Sequence, residues 1–232
     1  MNNKEQVIQL YDQALFYRSD PEDTLCHLSS QEDAVSYGAY LTLLLNRLGN
    51  DCTICDLGCG TASPVRYSKL ATAPPKGAPR AHSARYTGLD INETMIKRAQ
   101  ERWKDRPDMQ FKVYDLEDCN LDQNYDIILL QESIAYFEEE DINDLVDYYV
   151  TKANKVLSLS LLDGHLPWSV QDELLISQRH PMTTIVWCLA NYPFVLVDHG
   201  VNPEMYRIDI FKTQEYFDLV RGIEGRNTLG TS

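Results

Sequence analysis

Nothing in this chain approaches the ~20 consecutive apolar residues of a membrane span. Basic residues are also scarce. In 232 residues, 21 Lys and Arg face 35 Asp and Glu, a formal net charge of −14. An acidic surface repels phosphate backbones and anionic lipid, which argues against nucleic acid and membrane partners. Neutral or cationic small molecules stay compatible. The start, Met1-Asn2-Asn3-Lys4-Glu5, has no apolar leader, so a cytoplasmic location is expected. Six cysteines are present, but only Cys52 and Cys55 have CxxC spacing, and no second pair accompanies them. Neither a zinc site nor a disulfide framework is expected, only small core residues in a reducing compartment. No metal-ligand cluster, internal repeat or low-complexity block stands out. Nothing in the pattern specifies an oligomeric state.

What is present is a compact turn signal, Asp56-Leu57-Gly58-Cys59-Gly60-Thr61. An apolar run from Cys52 precedes it, and Ser63-Pro64, a helix opening with Ser63 as N-cap, follows it. The order strand, glycine turn, helix places backbone N–H groups beside a ligand. Asp56 narrows the choice of ligand. A carboxylate there repels a pyrophosphate and attracts an ammonium. S-adenosylmethionine carries an ammonium and a sulfonium and no phosphate.

The rest alternates strands and helices. Residues 4–18 carry an amphipathic pattern (Val7, Ile8, Tyr11, Ala14, Leu15), and Ser29-Ser30-Gln31-Glu32 is a capping box before a second helix ending at Gly49. Strands are expected over 53–57, 85–89, 109–114, 125–130, 156–162, 194–201 and 205–211. The 125–130 run is apolar enough to be buried on both faces. Helices are expected from Asn92, with Met95, Ile96, Ala99 and Trp103 inward, from the acidic run Glu138–Asp141, over 169–191 with an interruption at Pro181, and near 213–220. The Pro-rich segment 73–84 reads as a surface insertion. Asn202-Pro203-Glu204 reads as the turn of a closing hairpin.

Taken together and in order, these motifs resemble the class I S-adenosylmethionine-dependent methyltransferases over roughly residues 33–211. The family's glycine motif matches Asp56 to Thr61, and its acid ending strand two matches Asp90. Its acid after strand three matches Asp115, and its Tyr-Asp strand matches Tyr125 to Leu130. The resemblance implies a Rossmann-like α/β fold. Its seven-stranded sheet is mostly parallel with one antiparallel strand, and helices cover both faces. It implies a 1–50 helical extension or lid, a 51–212 core and a 213–232 short helix and tail. It also implies S-adenosylmethionine as methyl donor. Asp56 and the backbone of the turn at Gly58, Cys59 and Gly60 would hold the methionine part, and Gln131 and Glu132, at the end of strand four, would face the sulfonium and the substrate. Asp90 would take the ribose hydroxyls, and Ile91, Met95, Asp115 and Leu116 the adenine. The chain departs from the pattern at Ala62-Ser63, where the family often has a third glycine. Asp56 and Asp90 also lie 34 positions apart, against the usual spacing of about twenty.

Methyl transfer needs mainly alignment, and a base only where the acceptor must lose a proton early. His165, in Asp163-Gly164-His165, and Glu132 are the candidates for one; His180, His199, His27 and His82 are weaker. Tyr17 and Tyr136 are candidate lid or substrate contacts, while Tyr11, Tyr37 and Tyr40 read as packing residues. The expected activity is methyl transfer to an O, N or C atom of a small molecule. A protein or tRNA methyltransferase, a nicotinamide oxidoreductase and a non-catalytic methyltransferase-like subunit are the competing readings.

Overall fold

A computed structural model describes residues 4–17, 31–71, 83–131, 133–162, 181–199 and 205–222. Seven strands form one sheet: β1 Thr53–Leu57, β2 Arg85–Asp90, β3 Met109–Val113, β4 Tyr125–Leu130, β5 Ala153–Leu162, β6 Val195–His199 and β7 Met205–Phe211. Their order across the sheet is β3-β2-β1-β4-β5-β7-β6. The pairs from β3 through β5 are parallel, and β7 is antiparallel to both β5 and β6. The strand order reverses between β1 and β4, so their carboxyl ends open a crevice there, where open α/β sheets bind ligands. This is the architecture expected from the sequence.

The described helices are α1 Lys4–Tyr17, α2 Gln31–Leu48, α3 Glu93–Arg102, α4 Glu139–Lys152, α5 Pro181–Asn191 and α6 Gln214–Arg221. Alternation along the strands sends side chains to two cores. Ile54, Ile127, Leu129 and Val156 pack with α2, α3 and Val220 of α6. Cys55, Leu57, Ile128, Leu130 and Leu157 pack with α4 and α5. Cys52 and Cys55 therefore belong to opposite faces, which removes the CxxC pair as a site. Both thiols are free and buried, as a core role requires. Helix α2 is fully part of the body: Leu41, Leu44 and Leu45 have no exposed surface.

Three local readings change. The segment after the glycine turn is a 3-10 helix, Ser63–Tyr67, capped by Ala62 in the left-handed region (φ 52°) with no side-chain cap. Ser63 is thus not an N-cap. Pro64, which lacks an N–H, leaves the short segment without a regular α ladder. Pro181 opens α5 instead of interrupting a longer helix, which suits a residue with φ already set and no donor to lose. Trp103 is the C-cap of α3 and only partly buried. The remaining element boundaries agree within three residues. Residues 169–180, the hairpin turn 202–204 and nearly all of the 73–84 insertion lie outside the described residues.

Candidate functional site

The glycine turn is built by its neighbours. Gly58 has φ +77°, and a Cβ on it would lie 2.4 Å from Ser133 Cβ, so only glycine fits. The N–H groups of Gly58 and Cys59 donate to Leu89 O at 2.7 and 3.0 Å, and Ser133 Oγ donates to Leu57 O at 3.0 Å. The turn is thereby pinned to the end of β2 and to the segment after β4. A Cβ on Gly60 would meet nothing within 4 Å, so this side of the turn is open. Cys59 turns its thiol inward, to the space that a side chain on Gly88 would need. That makes Cys59 a packing residue of the turn.

Asp90, at the tip of β2, takes the Gly60 N–H on Oδ2 and the Asn92 N–H on Oδ1, both at 2.8 Å. Burial raises its pKa, and these two N–H bonds oppose the rise. Each oxygen keeps a lone pair for a hydroxyl. Asn92 caps α3 by accepting from Met95 N at 2.9 Å. Ile91 is partly exposed at the tip, and Met95 is buried one turn into α3.

Asp56 is buried, and its Oδ2 receives two tyrosine hydroxyls: Tyr37 of α2 at 2.9 Å, and Tyr86 of β2. Burial is the largest effect on its pKa and pushes it up to about 6. The two hydroxyls pull it down, and the charge of Asp90 adds to the rise. Tyr37 is therefore a ligand of the site carboxylate as well as a packing residue. Its helical spacing concealed this.

Asp115 follows β3 and caps the 3-10 turn at Leu116 by accepting from Glu117 N at 3.0 Å. Its Oδ2 takes Lys4 Nζ of α1 at 2.6 Å, and Lys4 also pairs with Glu117. Leu116 is partly exposed, and its carbonyl accepts from Tyr149 OH at 2.8 Å. Helix α1 makes two further contacts at this edge. Asn92 Nδ2 donates to Ile8 O (3.3 Å) and Asp12 Oδ1 (3.0 Å). The Tyr11 and Tyr136 hydroxyls bond at 2.6 Å, with their rings edge to face. Helix α1 thus lies across the ends of β2, β3 and β4.

Beyond β4, Gln131 Nε2 donates to Ser158 O and Ser158 Oγ, both at 3.3 Å. Ser158 stands opposite Asp209 in the β5–β7 register. Asp209 is fully buried and accepts from Tyr40 OH of α2 at 2.6 Å. Arg207 stacks 3.7 Å above the Tyr40 ring, bonds Asp198 at 2.8 Å and approaches Asp209 at 3.4 Å. Burial raises the Asp209 pKa, and the Arg207 charge opposes the rise. The structure therefore gathers Asp56, Gly58, Gly60, Asp90, Asp115, Gln131 and Tyr136 along one edge. The side chain of Tyr17, and Glu132, His165, His180, His27 and His82 entirely, lie outside the described residues. No group of metal-ligating side chains occurs among the described residues.

Residues 54–152 match a family described as a methyltransferase domain. A malonyl-[acyl-carrier protein] O-methyltransferase of Acetivibrio thermocellus is 30% identical over 127 residues, 55% of this chain and 38% of that protein. One from Ilyobacter polytropus is 28% identical over 131 residues, 50% of this chain and 46% of that protein. The chain thus spans less than half the length of these relatives. Among solved structures, magnesium protoporphyrin IX methyltransferase from Synechocystis PCC 6803 superposes with a TM-score of 0.63 at 16% identity, covering 90% of this chain and 100% of that one. The N-methyltransferase NodS from Bradyrhizobium japonicum WM9 gives 0.60 at 15%, covering 88% and 97%. The glycine turn tied to an acid at the tip of β2 and the antiparallel β7 thus accompany a match of residues 54–152 to a methyltransferase domain and a fold shared with solved methyltransferases.

Proposed function

We propose that the protein transfers a methyl group from S-adenosylmethionine to a small-molecule acceptor. The observation that carries this is the pair of carboxylates around the glycine turn, Asp56 buried and Asp90 half-buried. Asp90 bonds the turn itself, and Asp56 lies directly before it. A phosphate-bearing dinucleotide would meet negative charge there. An adenosyl donor presents ribose hydroxyls to Asp90 and an ammonium to Asp56. The residues present fit such a donor, because Asp90 keeps lone pairs and the Gly60 side of the turn is open. When bound, the donor supplies an electrophilic methyl on a positively charged sulfur. The protein's part is to orient, to exclude water and to place the acceptor in line.

Asp115 and Leu116 flank the adenine end, with Ile91 and Met95 as apolar neighbours. Helix α1, through Lys4, Asp12 and Tyr11, covers the edge as a lid that meets Tyr136. The acidic charge supports a neutral or cationic small molecule as acceptor and disfavours tRNA. His165 and Glu132 are the candidate bases for an acceptor that must lose a proton. No described helix is long and apolar enough to cross a membrane. Calorimetry tests the donor assignment: S-adenosylmethionine and S-adenosylhomocysteine should both titrate to a single site while NADH gives no heat. Binding of NADH with silence from both adenosyl ligands would reverse the assignment.

A further inference from the structure

Gln131 directly follows β4 at the ligand edge, and chemistry fixes which way its carboxamide faces. One end lies 3.3 Å from the backbone carbonyl of Ser158. A carbonyl only accepts, so that end is the NH2 group. Oε1 is then the end turned away from β5, and no described residue bonds it. Behind Gln131 stand Ser158, Asp209 and Tyr40, a buried string that keeps the orientation. The free end of Gln131 is therefore an acceptor of hydrogen bonds and not a donor.

The charge of this edge points the same way. Asp56 and Asp90 stand at it, and Asp209 lies fully buried behind Ser158 on the same face of the sheet. Against them stands Arg207, already engaged by Asp198, Asp209 and the Tyr40 ring. Among the described residues an anionic acceptor group finds no open cation here, and it would face Oε1 lone pair to lone pair. A cation is attracted.

Resting on the methyltransferase reading above, we propose that Gln131 Oε1 receives an N–H of the acceptor, and that the acceptor is a primary or secondary amine. The amine enters as its ammonium, gives one proton to water and keeps the N–H that Oε1 holds. Its lone pair then forms the new N–C bond as the methyl C–S bond breaks, with that electron pair staying on sulfur. The products are a methylated ammonium and a neutral thioether, with one proton released per turnover. The nucleophile needs no base in the transfer itself, whereas a hydroxyl acceptor would. This assignment differs from the O-methyl transfer named for the two curated relatives.

The test uses the full-length protein, donor labelled in the methyl group, and three matched pools on the same C2–C8 aliphatic and phenyl skeletons: amines, alcohols and carboxylates. Products are sorted by chemistry. Methyl esters release volatile methanol in base, methyl ethers are base-stable and uncharged, and methylamines, first extracted into organic solvent at high pH away from the permanently cationic donor, bind a cation exchanger. Label should appear in the exchanger-bound fraction from the amine pool. Gln131→Leu should lower that transfer at least tenfold, with the calorimetric donor Kd changed less than threefold. Ser158→Ala, a positioning variant, should raise the amine KM two- to fivefold with kcat nearly unchanged. It should also speed exchange of the Gln131 side-chain amide protons seen by NMR. Label in the ester or ether fraction overturns the proposal. So does no transfer to any pool by protein that binds donor, or a Gln131→Leu variant that transfers as well as the parent. A protein that binds no donor instead refutes the methyltransferase reading itself.

Discussion

Donor affinity should titrate with Asp56. Burial moves this carboxyl from 3.8 to about 6, a bias of about 3 kcal/mol against the ionised form. The folded pKa lies above the unfolded one, so the native state holds this proton more tightly. The stability of the ligand-free protein accordingly declines as pH rises from about 4 to about 6, and is level above that. The donor's ammonium reverses the preference, because it gains from the ionised carboxylate. At pH 5 only about a tenth of the ligand-free protein has Asp56 ionised. Affinity should then be about tenfold weaker than its plateau above pH 7, a difference of about 1.4 kcal/mol. Isothermal calorimetry with S-adenosylmethionine at pH 5, 6 and 7.5 reads this directly. Asp56→Asn keeps an acceptor for Tyr37 and Tyr86 but has no charge to titrate. It should bind about ten- to a hundredfold more weakly at neutral pH, the loss of one charged hydrogen bond, and lose the slope. Equal affinity across the three pH values, or an unchanged slope in Asp56→Asn, would refute the placement of the ammonium at this carboxylate.

Removing the Tyr37 hydroxyl (Tyr37→Phe) deletes a bond that favours ionised Asp56, so the midpoint of that pH profile should move up; a fixed midpoint uncouples Tyr37 from the donor. Asp90→Ala loses the Gly60 and Asn92 bonds with the ribose contact, and should weaken donor binding at least thirtyfold, about 2 kcal/mol; parental affinity would sink the ribose assignment. Gly58→Ala combines a left-handed φ with a clash against Ser133, and urea denaturation should show a loss of about 2–4 kcal/mol. Lys4→Ala frees one end of α1, so amide hydrogen exchange should quicken over residues 5–12 while β1 and β4 stay protected; the pair is partly exposed and worth about 0.5–1 kcal/mol.

The sheet was legible because its central strands are buried on both faces and bounded by turn residues. Thr53–Leu57 and Tyr125–Leu130 agree residue for residue, and the acids at strand tips stand where the motifs put them. The bonds among those acids and their neighbours were less visible. Lys4 and Asp115 lie 111 positions apart, beyond any local pattern. Tyr37 and Tyr40 occupy inward helical positions, where spacing cannot tell a hydroxyl aimed at a carboxylate from a ring packed on Leu. One signal did exist. Asp209 stands between Ile208 and Ile210 in a strand pattern, and a lone acid at an inward position needs a donor nearby. Tyrosines on the covering helix were the available donors. The 3-10 segment after the turn was obscured because Ser63-Pro64 is equally good as an α-helix opening.

Helices α1 and α2 meet the sheet in different ways. Gly88, Asp56, Leu129, Ser158 and Asp209 form one row across β2, β1, β4, β5 and β7. Tyr37 and Tyr40, three apart on α2, meet this row at Asp56 and at Asp209. With strands about 4.8 Å apart, those two carboxylates are separated by three strand spacings, one near the glycine turn and one behind Gln131. Helix α2 is packed into the core, so it holds Asp56 and Asp209 in a fixed relation. Helix α1 has the opposite character. Its described ties to the edge are polar: Lys4 to Asp115, Asp12 to Asn92, and Tyr11 to Tyr136. Polar ties exchange readily with water and cost little to break, whereas lifting α2 would expose Leu41, Leu44 and Leu45. Among the described helices, α1 is therefore the one that can lift from the strand tips at low cost, with the carboxylate row left in place.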